Sequence, residues 1–187
     1  MDMYTIKWTR LQNEIIRLFC IRAGLTLSLR EISRLLKVSP SAVSKSIVNL
    51  EREEIISIKR DKKINLLLIQ LNRDNPKVIN LKRTENLRLL YESGLSDFLR
   101  DEFMGSTILL FGSYSYGEDV LKENNDGNSD IDIAIIGRKE KNMDLSKFEG
   151  LLEREVVINF YDSWKDIHKN LKDNILNGIL LSGSVEL

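Results

Sequence analysis

The sequence predicts a two-domain protein, a small α+β domain followed by an α/β domain, and three observations carry that prediction. The 187 residues balance 28 Lys and Arg against 28 Asp and Glu, yet residues 1–82 hold 16 basic against 8 acidic side chains and residues 83–187 hold 12 against 20. The pattern changes along the chain: three helical periods and a pair of β-rich runs come first, and strands interspersed with helices come after. Between them, Leu71 to Lys82 is polar and contains Asn75-Pro76, which makes it the best boundary. The expected division is 1–72, a helical connector over 73–104, and 105–187. A basic domain is expected to seek polyanions, and an acidic one with paired carboxylates to seek cations. Mutual attraction of the two halves is the plainer reading of the same split.

With 42% hydrophobic and 30% charged residues the chain has an ordinary globular composition. No apolar run is long enough to span a membrane and no signal peptide opens at Met1-Asp2-Met3, so a cytoplasmic protein is expected. Cys20, the only cysteine, falls on the apolar stripe of a helix and reads as a core residue. His168 is the only histidine, which excludes a histidine-cluster metal site.

Taken in order, Trp8, Leu11, Ile15, Leu18 and Phe19 recur at helical spacing, and Gly24 stops that first helix. Ser28-Leu-Arg-Glu31 is a capping box that starts a second helix through Ile32, Leu35 and Leu36. Ser39 then caps a third, with Pro40 at its first position, where a missing N–H costs nothing. That third helix turns Val43, Ile47 and Leu50 inward and Ser41, Ser44, Lys45 and Asn49 outward. Ile55 to Lys59 and Ile64 to Leu71 read as a hairpin around a basic tip containing Arg60, Lys62 and Lys63.

Three short helices followed by a hairpin resemble a winged helix-turn-helix domain, over residues 6 to 72. The resemblance implies double-stranded DNA as partner. The third helix would enter the major groove through Ser41, Ser44, Lys45 and Asn49, and the wing would lay Arg60, Lys62 and Lys63 along phosphates. Winged helices also dock proteins, which is the competing reading.

Beyond the boundary, Thr84 to Glu92 and Ser96 to Glu102 read as two short helices broken at Gly94. Ile108 to Phe111 is a buried strand ending in Gly112-Ser113, where a helix can begin and backbone N–H groups can meet a phosphate. A polar loop follows, with turn sequence at Asn124 to Asn128. Strict alternation from Asp130 to Ile135 then places Asp130 and Asp132 on one face of a strand, about 7 Å apart. Such a pair can close on one hard cation, Mg²⁺ or Mn²⁺. Leu145 to Leu152 is an amphipathic helix, Glu155 to Tyr161 a strand, Trp164 to Ile175 a closing helix ended by Gly178, and Ile179 to Leu181 a last short strand.

Alone, Asp-x-Asp is usually a solvated face and Gly-Ser a turn. In this order and between apolar strands, Phe111-Gly112-Ser113 and Asp130-Ile131-Asp132-Ile133 resemble the small members of the DNA polymerase β-type nucleotidyltransferase superfamily. That resemblance implies a mixed sheet with flanking helices, an NTP such as ATP as substrate, and transfer of its nucleoside monophosphate to a hydroxyl. It also implies metal on Asp130 and Asp132, and Gly112 and Ser113 on the outer phosphates. The family's third carboxylate matches Asn159, while Glu155 shares that face about 13 Å down the strand. A spacer between the two motifs longer than in compact members is a departure. A protein or nucleic-acid acceptor and a second copy in a homodimer complete the expected partners. A DNA-binding regulator whose second domain binds nucleotide without turnover is the alternative.

Overall fold

The structure is a computed structural model that describes residues 8–61, 66–122 and 127–186. The chain divides into two compact units, Met1–Val78 and Ile79–Leu187.

In the first unit, α1 (Arg10–Ile21) opens with a capping box between Thr9 and Gln12. A two-residue strand β1 (Leu27–Ser28) leads into α2 (Leu29–Leu36), where the Glu31 N–H donates to Ser28 Oγ at 3.3 Å and the Ser28 N–H donates to Glu31 Oε2 at 2.7 Å. The Ser28 backbone N–H, then its hydroxyl, hold the Glu31 carboxyl below its ordinary value. Helix α3 (Pro40–Arg52) starts on Ser39 as expected. Strands β2 (Ile56–Asp61) and β3 (Leu66–Leu71) pair antiparallel, and β1 adds to the other side of β3. Ile15, Phe19, Cys20, Ile32, Val43, Leu50 and Ile69 are fully buried and make the core. Each such side chain contributes roughly 1.5–3 kcal/mol through burial. This is a winged-helix arrangement. The strand β1 is an addition to the sequence reading; two residues carry no readable period.

The division between the two units falls inside the polar stretch read as a boundary, but much of that stretch is helical. Helix α4 runs Pro76–Glu92, so it begins eight residues before the expected Thr84. Asn75 Oδ1 accepts from the Lys77 N–H at 3.0 Å, and Pro76 follows it at a first-turn position. The Asn-Pro pair is thus a helix start. Polarity does not mean exposure throughout the stretch: Lys82 is completely buried on Asp119, a partner distant in sequence.

The second unit holds a four-stranded sheet of order β6-β5-β4-β7, with β4 (Thr107–Phe111), β5 (Ile131–Ile136), β6 (Val156–Tyr161) and β7 (Ile179–Ser182). β4 is antiparallel to β5 and β7, while β5 and β6 are parallel, so the sheet is mixed. Helix α5 (Leu95–Glu102), the one-turn α6 (Gly112–Tyr116), α7 (Ser146–Leu152) and α8 (Lys169–Leu176) complete it. The expected closing helix divides: Trp164–Asp166 is a 3₁₀ turn capped by Ser163, and α8 starts only after His168. On one face of the sheet Leu109, Phe111, Ala134 and Ile136 pack with Ile167 and Ile175. On the other, Phe160 meets Phe103 edge-on at 5.5 Å, and Phe98 packs against Phe148 at 5.2 Å. No helix among the described residues is long and apolar enough to cross a membrane.

Candidate functional site

The end of β4 and the beginning of β5 meet through their register. Phe111 is the ladder partner of Asp132, so Gly112, the next residue, arrives beside the Asp132 side chain. Gly112 has φ +71°, a conformation that costs a side chain strain, and a Cβ there would overlap Asp132 Oδ2. The glycine is therefore demanded twice, by the turn and by the carboxylate that fills the space of its missing side chain. Ser113 follows, half-buried, in α6. Because α6 is a single turn, any grip on phosphate rests on the main chain and hydroxyl at Gly112 and Ser113, with little helix dipole behind it.

Asp130 and Asp132 stand close enough to interact. Burial, and secondly the charge of Asp130, push the Asp132 carboxyl above its ordinary value. Among the described residues no hydrogen bond and no ion pair reaches either carboxylate. Half-buried, mutually repelling oxygens with no protein cation to satisfy them are the donor set a hard divalent ion requires. Among the described residues no group of three or more His, Cys, Asp or Glu could hold a metal, so Asp130 and Asp132 stand as a pair that could supply two oxygen ligands. That number suits Mg²⁺, which typically keeps one or two carboxylates and takes its remaining oxygens from phosphate and water.

The strand β6 places the remaining candidate one step away. Register pairs Val157 with Asp132 and Asn159 with Ala134. Asn159 thus shares the Asp132 face but sits one pleat further along, on the order of 8 Å diagonally. In the other direction, the Ile131 N–H donates to the Glu155 carbonyl at 2.8 Å, which brings Glu155 level with Asp130. Asp130 and Glu155 border one cleft of about 730 Å³ together with Glu149 and Glu153. Sequence spacing alone could not rank Asn159 against Glu155, since the ranking depends on how β6 registers with β5.

A charged cluster inside the unit was not foreseen. Asp119 is fully buried and accepts from Lys82 Nζ, from Asn86 Nδ2 at 2.7 Å and from Arg154 Nη2 at 2.8 Å. Asn86 also donates to the Tyr114 carbonyl at 2.9 Å. The network ties α4, α6, the start of β6 and the loop that leads to Asp130. Gly117, φ +76°, admits the α4 backbone at Ile79 and Arg83 where a Cβ would collide with it. The described arms of the loop are joined to each other: the Ser129 N–H donates to the Val120 carbonyl at 2.9 Å and the Lys122 N–H to Asn128 Oδ1 at 2.7 Å. The loop is therefore clamped immediately before Asp130. Asp-Val at 119 and 120 gave no motif signal, and the partners of Asp119 lie 33 to 37 residues away.

In the first unit, Ser41, Ser44, Lys45 and Asn49 are all exposed on α3, and Arg60 is exposed on β2. Lys62 and Lys63 lie outside the described residues. The outer face of α3 carries one more side chain that the sequence reading passed over, Val48, at 61% exposure.

Residues 92–181 match the family model of the nucleotidyltransferase domain. No curated protein matches the chain. Among solved structures, Lactococcus lactis ZitR is similar at 21% identity, covering 56% of this chain and 68% of that one with a TM-score of 0.41. The adhesin competence repressor AdcR of Streptococcus pyogenes is similar at 16% identity, covering 55% and 71% with a TM-score of 0.42. A ZitR variant in complex with DNA is similar at 24% identity, over 55% of this chain and 69% of that one, with a TM-score of 0.39.

Proposed function

We propose that residues 105–187 transfer a nucleoside monophosphate from an NTP, with ATP the first to test, to a hydroxyl of a protein or nucleic acid. The helical stretch 73–104, expected as a connector, joins that domain from Ile79 onward through Lys82 and Asn86, and residues 1–72 bind double-stranded DNA. The observation that supports the transferase reading best is the fit of Asp132 into the space at Gly112, with Asp130 beside it and, among the described residues, no protein cation on either carboxylate. Asp130 and Asp132 would hold Mg²⁺ or Mn²⁺, which when bound neutralises triphosphate charge and steadies the leaving pyrophosphate. Gly112 lets the outer phosphates approach the main chain, and the Ser113 hydroxyl adds a donor to them. Asn159 offers an amide oxygen toward the acceptor side but neither charge nor basicity. The second reading, a DNA-binding regulator that binds nucleotide without turnover, is favoured by that neutral Asn159.

Transfer of label from ATP to host lysate, with Mg²⁺ present, tests the two readings. Wild type should exceed the Asp130→Ala blank, and Asn159→Asp should raise transfer by about 10²–10⁴-fold, the worth of a positioned general base. Strong wild-type transfer that Asn159→Asp does not raise would move the third-carboxylate role to Glu155. No transfer by either protein would favour the regulator.

A further inference from the structure

The outer face of α3 is polar except at its centre. At 100° per residue, Val48 falls between Ser44 and Lys45 on the helix circumference, and Ser41, Lys45, Val48 and Arg52 lie within about 60° of one another. The inward side of the same helix is complete without it, since Val43, Ile47 and Leu50 are buried. Val48 is 61% exposed and is the only large exposed hydrophobic among the described residues of the first unit. An isolated exposed valine is ordinary on a protein surface. One at the middle of the face that carries Ser41, Ser44, Lys45 and Arg52, in a basic segment, has a narrower chemistry open to it.

We propose that Val48 reads thymine: seated in the major groove, its methyl groups pack on the C5-methyl of a thymine in the recognised site. The proposal rests on the DNA-binding reading and names what that surface selects. An aliphatic side chain can neither donate to nor accept from a base edge, and the thymine methyl is the only apolar group the major groove displays. Ser41, Ser44 and Lys45 on either side supply the donors that fix register, and Arg52, a turn further on, supplies charge for the backbone. Val48 therefore sets identity at a position that hydrogen bonding leaves open.

The test uses the full chain. A duplex site is selected from random sequence, and each thymidine is then replaced singly by deoxyuridine, which lacks only that methyl. Binding is read by fluorescence anisotropy for wild type and Val48→Ala. Wild type should lose about fourfold at one or two positions, the effect of one buried methyl. Val48→Ala should bind thymine and uracil duplexes alike at those positions with an unchanged salt slope, because no charge is altered. Alanine at an exposed helical position keeps the fold, and an unchanged circular dichroism spectrum verifies that. Equal binding of all thymine and uracil duplexes by wild type, or discrimination that survives in Val48→Ala, overturns the proposal while DNA binding stands; Val48 then serves a protein contact. Failure of wild type to retain any duplex at low salt overturns the DNA-binding reading itself, and the proposal with it.

Discussion

Among the described residues of the first unit the buried polar side chains are Gln12, Ser28 and Ser33, none of them charged, whereas the second unit encloses Lys82, Asp119 and Arg154. In the first, charge lies on the outside of a conventional apolar core, so its binding chemistry can be edited without touching what folds it. In the second, charge is part of the core, and the same network that stabilises the unit also fixes the loop entering Asp130. The two regions should respond to mutation in different ways, and the size of that difference can be measured.

Asp119→Ala should have the largest effect. It removes the buried carboxylate that Lys82 and Arg154 share, and breaking a buried pair of this kind costs about 3–5 kcal/mol. Thermal unfolding should show a marked loss, with nucleotide affinity falling alongside because the loop before Asp130 loses its anchor. Replacing Lys82, Asp119 and Arg154 together by Met, Leu and Met should recover most of the stability, since an apolar cluster of similar volume is often no worse than an ionic one. An Asp119→Ala protein as stable as wild type would erase the distinction between the units. By contrast, Lys45→Ala on α3 should leave unfolding within about 0.5 kcal/mol of wild type.

Gly112→Ala comes next in size. The added Cβ meets the Asp132 carboxylate and imposes φ +71° on an alanine, a strain of order 1–3 kcal/mol. Titration calorimetry should show ATP affinity in Mg²⁺ down by roughly ten- to a hundredfold, with a smaller loss of stability if the Asp132 side chain turns aside. Unchanged affinity would remove Gly112 from the proposed site.

What the sequence made legible follows the same division. Helix starts at Ser28 and Ser39 were readable because a cap and its partner lie three residues apart, and the structure places both. The face shared by Asp130 and Asp132 was readable because a strand has a period of two. Long-range facts were hidden. The burial of Lys82 was not readable because Asp119 is 37 residues away, and the offset of Asn159 from Asp132 was not readable because strand register is not written in either strand. Val48 was passed over for another reason: an apolar residue at helical spacing reads as core until the packing shows which face is already full.

The smallest expected effect is the pH dependence that Asp132 gives the second unit. Burial and Asp130 raise the Asp132 carboxyl above its ordinary value, so the folded state resists its ionisation while the unfolded state does not. Between the ordinary value and the raised one, the folded chain holds more protons than the unfolded chain. Stability therefore falls as pH rises through that window, and above it the full cost of the charged Asp132 persists. Asp132→Asn removes the ionisation. The variant should be somewhat more stable than wild type at neutral pH, and the gap should close as pH falls through the raised value toward the ordinary one. Mg²⁺ should reverse the order, because the ion binds the ionised pair in wild type and has one carboxylate fewer in the variant. Urea titrations of both proteins across acidic to neutral pH, with and without Mg²⁺, check this. A gap that stays constant with pH, or wild type that gains nothing over Asp132→Asn from Mg²⁺, would mean that Asp132 is an ordinary solvated carboxylate and that the second unit, like the first, keeps its working charges at the surface.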